Sequence, residues 1–144
     1  MEKTALSATE ALSRAHTALR EDLRRLDETV RRAAADDCPS VRACLDATRA
    51  HITEHFRIEE ENGYLGTVRK REPRLEHAIQ QLVEEHRQLT RSLQALIATA
   101  NADATVDEAF RTEVRKWIDH IRRHEKREND LVQEAFNLDI GPED

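Results

Sequence analysis

Two histidine–glutamate pairs sit inside otherwise apolar helical stripes, and they constrain the fold more than any other feature. His55 and Glu59 in AHITEHFRIEEE stand four residues apart, as do His124 and Glu128 in RRHEKREND. That spacing puts both members of a pair on one helix face, one turn apart. Each pair follows a lone upstream histidine at nearly the same distance, 39 residues from His16 to His55 and 38 from His86 to His124. A helical hairpin has been written twice.

The stripes locate the helices. Leu12, His16, Leu19, Leu23, Leu26 and Val30 step by threes and fours, and so do Val41, Leu45, Thr48, Ile52, His55 and Glu59. The second half repeats this with Leu75, Ile79, Leu82, His86, Leu89, Leu93 and Leu96, then Phe110, Val114, Trp117, Ile121, His124, Glu128 and Leu131. Such periodicity marks amphipathic helices, expected over about 8–35, 39–63, 73–100 and 106–137. Ser7 to Glu10 and Thr105 to Glu108 are capping-box patterns that should start the first and last helices. Pro39 and Pro73 suit first turns. Asn62-Gly63 is a natural stop, with 63–72 as a connection and Asn101 to Ala104 as a break. The tail after Asn137 is expected to fray.

With only 3 Gly and 3 Pro in 144 residues there are few places to turn. The expectation is one all-α domain over 1–144, an up-down-up-down four-helix bundle. The formal net charge of −6 argues against nucleic-acid binding. No segment approaches the ~20 apolar residues of a membrane span, and the N-terminus lacks the pattern of a signal peptide, so a soluble cytoplasmic protein is expected. Cys38 and Cys44 match no thiolate metal motif and read as reduced packing thiols.

In such a bundle His16, His55, Glu59, His86, His124 and Glu128 all point at the axis, within about two turns of one level. Six buried polar groups without partners would be costly, and a cation removes that cost. Imidazole and carboxylate donors without thiolate suit iron, with manganese second, better than a structural zinc. Facing carboxylates can bridge two ions, with His16 and His55 on one and His86 and His124 on the other. Any one of these residues alone would read as a packing residue; the repeat of all six in one seam favours a metal.

His51 and His120 each precede a ligand histidine by four residues and flank the seam. They read either as groups that hydrogen-bond the ligands or as half-exposed packing residues. Tyr64 could hang over the site, though a packing role is the simpler expectation. His77, Glu60 and Glu61 read as solvated.

The order His, H-F-x-x-E, His, H-x-x-x-E resembles the hemerythrin family, in particular the hemerythrin-like (HHE) domains, over nearly the whole chain. The resemblance implies a hemerythrin-like bundle holding a non-haem di-iron centre with an oxo or hydroxo bridge. On it, His16 matches the first-helix histidine, His55 and Glu59 the H-F-x-x-E, His86 the second histidine of an H-x-x-x-H, and His124 the last-helix histidine. Two positions depart from the oxygen carriers: Leu82 replaces a histidine, and Asn129 occupies an aspartate position while Glu128 supplies the H-x-x-x-E form. Fewer protein ligands leave more exchangeable positions, which suits water, peroxide or nitric oxide. Three functions follow as expectations: a protein that binds or senses oxygen, nitric oxide or iron; a redox enzyme removing peroxide or nitric oxide; and a metal-free interaction bundle.

Overall fold

A computed structural model describes residues 2–61, 63–101 and 105–136, and of residues 2–9 the backbone alone. Four long helices carry the four stripes: α1 (Glu2–Arg32), α2 (Cys38–Glu61), α4 (Glu76–Asn101) and α5 (Glu108–Phe136). Between α2 and α4 lie a two-turn helix α3 (Tyr64–Arg71) and a 3₁₀ turn (Pro73–Leu75). α1 packs on α2 and α5, and α4 packs on the same two, which closes an all-α four-helix ring.

Local chemistry sets the joints. α1 runs on from Glu2, so Ser7 lies within the helix rather than at its start; its side chain, Asn62, residues 102–104 and the tail after Asn137 lie outside the described residues. Asp37 caps α2, its Oδ1 accepting from the Ser40 N–H at 3.3 Å and the Ser40 hydroxyl at 2.8 Å. Asp107, not Thr105, caps α5: its Oδ1 accepts the Phe110 N–H at 2.8 Å. Thr105 is too early because Val106 is buried and its N–H is bonded to Ala35 O at 2.9 Å. Arg111 then donates to Val30 O and Ala33 O, at 3.0 and 2.8 Å, satisfying the last carbonyls of α1. Cys38 and Cys44 are free, and the buried Cys38 thiol donates to Ala100 O.

The core comes in two parts. The larger runs from Leu19 to Val30 on α1 through Val41 to Phe56, Leu89 to Ala100 and Phe110 to Ile121. The smaller gathers Leu12, Tyr64, Leu65, Val68, Leu75, Ile79, Leu82, Leu131, Val132, Ala135 and Phe136. In α1, α4 and α5 the polar stripe residues fall between the two, His16 between Leu12 and Leu19, His86 between Leu82 and Leu89, Glu128 between Ile121 and Leu131, and in α2 Glu59 lies between Phe56 of the larger core and Tyr64 of the smaller. A polar layer therefore crosses the bundle, roofed by a second apolar layer.

α3 makes that roof, and it occupies the stretch expected to be a connection. Tyr64, Leu65 and Val68 are buried on one face, and α3 touches all four long helices. It stops where Glu72 donates its N–H to Val68 O at 2.8 Å and Pro73 opens the next turn.

Candidate metal centre

Each long helix delivers its polar stripe residues to the layer at one height, and all four imidazoles present Nε2 to carboxylate oxygens. His16 Nε2 lies 2.8 Å from Glu128 Oε1, and His124 Nε2 lies 3.2 Å from Glu128 Oε2. His55 Nε2 is 2.9 Å from Glu59 Oε2. His86 Nε2 stands between the carboxylates, 3.1 Å from Glu59 Oε1 and 3.5 Å from Glu128 Oε2. Two four-residue groups result, each with one donor atom per residue within 4.8 Å of the others: His16, His55, Glu59 and Glu128, and Glu59, His86, His124 and Glu128. Both carboxylates belong to both groups.

These atoms are close without being paired. Nε2 of His55 and of His124 and both oxygens of Glu59 are buried and lack a hydrogen-bond partner, because their near neighbours are not aligned as donor and acceptor. An unsatisfied buried polar atom costs about 1–3 kcal/mol, so four in one layer is a large debt for a 144-residue domain. Converging lone pairs of imidazole and carboxylate are what a cation takes up, and the residues present fit one.

The electrostatics agree. Burial and the Glu128 charge hold the Glu59 carboxyl well above the ordinary range. Burial would raise Glu128 too, but the imidazoles of His124, His16 and His86 close around it overcome that and hold the carboxyl well below. Burial opposes the His86 cation, yet the Glu128 and Glu59 carboxylates beside it raise its pKa to about 9. Burial lowers His55. Protons thus stand where positive charge is wanted, held by the groups that could hold a metal.

A model of the hemerythrin HHE cation-binding domain matches residues 7–136 of this sequence. The chain belongs to that family. No curated protein and no solved structure matches it.

Around its six central side chains this HHE domain carries groups that read as solvated or passed unnoticed in the sequence. Glu60 Oε2 lies 2.6 Å from His86 Nδ1, and Glu85 Oε1 lies 2.5 Å from His124 Nδ1, with Arg127 on the other Glu85 oxygen. Glu60 therefore does not belong to a merely solvated face. Glu125 is buried, 3.9 Å from both His16 Nδ1 and Arg20 Nε. Phe56 of the H-F-x-x-E stacks on His86, ring centres 3.9 Å apart and planes 7° from parallel. Tyr64 is more than a packing residue: its buried hydroxyl donates to Glu128 Oε2 at 2.7 Å.

The flanking histidines lie elsewhere. His51 is exposed and pairs through Nδ1 with Asp22 at 2.9 Å. His120 lines a groove between α4 and α5 with Trp117, Phe110 and Leu96. His77 is exposed, as the periodicity of α4 requires. Leu82 is buried in the smaller core one turn before His86, and Glu128, not Asn129, is the acid in the layer.

Proposed function

We propose that this HHE domain is a cytoplasmic protein that holds two iron ions and uses them to bind or sense oxygen, nitric oxide or iron itself. The observation that carries the proposal is the pair of donor groups sharing Glu59 and Glu128, with unsatisfied buried atoms on His55, Glu59 and His124. His16 and His55 would hold one ion, His86 and His124 the other, and the two carboxylates would bridge them. Bound iron supplies exchangeable coordination positions and a one-electron redox couple. The chain's own residues do the rest. Tyr64 fixes the Glu128 carboxylate through its hydroxyl, Phe56 holds the His86 ring in place, and the apolar roof of Leu65, Val68 and Leu82 keeps bulk water from the layer.

Among the described residues no helix is long and apolar enough to cross a membrane. A metal count with an optical spectrum, on protein purified without chelator after iron supply, tests the proposal. About two equivalents of iron per chain are expected. Less than one equivalent of any transition metal would favour a metal-free interaction bundle.

A redox enzyme is the second reading, and Leu82 favours it. With an apolar side chain in place of an imidazole there, an ion held by His86 and His124 would have fewer protein donors and would leave more room for peroxide or nitric oxide. Adding hydrogen peroxide to the iron-loaded protein separates the two: sustained oxygen release marks the enzyme, stoichiometric bleaching the binding protein.

A further inference from the structure

The four imidazoles present the same nitrogen inward, but their outward nitrogens have unequal partners. On one side Glu60 and Glu85 approach Nδ1 of His86 and His124 to 2.6 and 2.5 Å, the length of a charge-assisted hydrogen bond. Each acid comes from a neighbouring helix, Glu60 from α2 to a histidine of α4 and Glu85 from α4 to a histidine of α5. On the other side Glu125 Oε2 is 3.9 Å from His16 Nδ1, beyond hydrogen-bond reach. Among the described residues none is bonded to Nδ1 of His55. Only His86 has a ring stacked flat against it.

A carboxylate that accepts from Nδ1–H fixes the tautomer with the Nε2 lone pair inward, locks the ring plane and makes that lone pair a better donor. Two such carboxylates serve one member of the candidate ion pair and none serves the other. Arg127 offsets some of the Glu85 charge, and Arg57, Arg87 and Arg91 line the groove beside Glu60. Neither effect relaxes the ring orientation.

Resting on the two-metal reading above, we propose that Glu60 and Glu85 are positioning residues that make the His86 and His124 position the stronger of the two, so that it fills first. The two sites of the bundle are then unequal by construction, although the sequence repeat that builds them is nearly symmetric.

The test is a zinc titration of metal-free full-length protein labelled with ¹⁵N-histidine, followed through the imidazole nitrogens. The first equivalent should move Nε2 of His86 and His124, and the second Nε2 of His16 and His55. Glu60→Ala and Glu85→Ala should weaken the first step by about 10- to 100-fold and leave the second nearly unchanged. Glu60→Gln and Glu85→Gln keep an acceptor for Nδ1–H, so they should restore the tautomer signal and part of the affinity. Glu54→Gln, at a surface acid that holds Arg57, should leave the filling order as it is. Simultaneous filling in the unaltered protein, or an unchanged first step in both alanine variants, would overturn the inference while leaving the two-metal reading intact. If excess zinc shifts no imidazole Nε2 at all, both fall.

Discussion

Gly63 joins the helix that carries Glu59 to the roof over the site, and replacing it tests that joint directly. A Cβ built there would lie 2.7 Å from Glu59 Cα and 2.8 Å from Ile58 O, both backbone atoms and both inside the 3.0 Å that real Cβ atoms keep. Its φ of −99° is open to any residue, so the constraint is space and not dihedral strain. No side-chain rotation can relieve a clash with backbone; α2 and α3 must move apart. Overpacking of this kind costs about 1–3 kcal/mol. Gly66 is the matched control: it lies within α3, and a Cβ there would meet nothing within 4 Å. Alanine at that position should stabilise by roughly 0.5–1 kcal/mol through helix propensity. In urea, with a slope of about 2 kcal/mol per M, the midpoints of Gly63→Ala and Gly66→Ala should separate by about 1–2 M, with wild type between them. Gly63→Ala should also weaken metal binding, because the displaced backbone is that of Glu59. Equal midpoints, or a Gly66→Ala variant less stable than Gly63→Ala, would refute this account of the joint.

Metal affinity should rise with pH by up to about tenfold per pH unit for each proton displaced, and a chelator competition series up to about pH 9, the value of His86, checks it. The sign for the metal-free bundle is opposite: a raised histidine pKa gives stability that is full below 6.5 and lost as pH rises through about 9, readable as a falling urea midpoint. Glu59→Ala or Glu128→Ala should cost both ions while His16→Ala weakens mainly one and His77→Ala neither, by metal count on folded protein; two ions retained in both glutamate variants would exclude bridging. Leu82→His should add an imidazole beside His86 and change the optical spectrum of the iron-loaded protein, and an identical spectrum in a folded variant would count against the seam alignment. Chelation should speed hydrogen exchange in α3 and the ends of α2 and α5 more than at the Val30 end, where the larger core does not depend on the layer.

How much of the fold the sequence could reveal follows from where its periodicity is long. The four long helices each carry a stripe of several turns, and a core-facing stripe of that length has few other solutions. Their joints were less legible. A pattern such as Thr105 to Glu108 offers two capping acceptors two residues apart, and burial of Val106 decides between them, a tertiary fact. α3 was hidden because its eight residues show only Tyr64, Leu65 and Val68 as signal, while Gly63 and Gly66 argue for a turn. The helix forms because the open end of the bundle offers those three side chains a place to be buried.

The site divides along the same line. Its six central residues were legible because a histidine or glutamate at a seam position can face only the axis. Glu60, Glu85 and Glu125 were not, although each stands immediately beside a central residue in sequence: Glu60 after Glu59, Glu85 before His86, Glu125 after His124. One residue along a helix is about 100° around it, so each of these acids falls off the seam and reads as surface charge. Periodicity describes a helix's own faces and says nothing of which neighbour a flank will meet, and the partners of Glu60 and Glu85 are on the next helix round the ring. The recoverable signal was an acid adjoining a seam histidine or glutamate on three of four helices, a pattern that solvation alone does not require. The outward nitrogens of His86 and His124 are thereby satisfied at the rim, whereas the outward nitrogen of His16 and Glu125 Oε2 are not; the other unsatisfied atoms of the layer, on Glu59 and the inward nitrogens of His55 and His124, lie at the centre, where a cation can reach them.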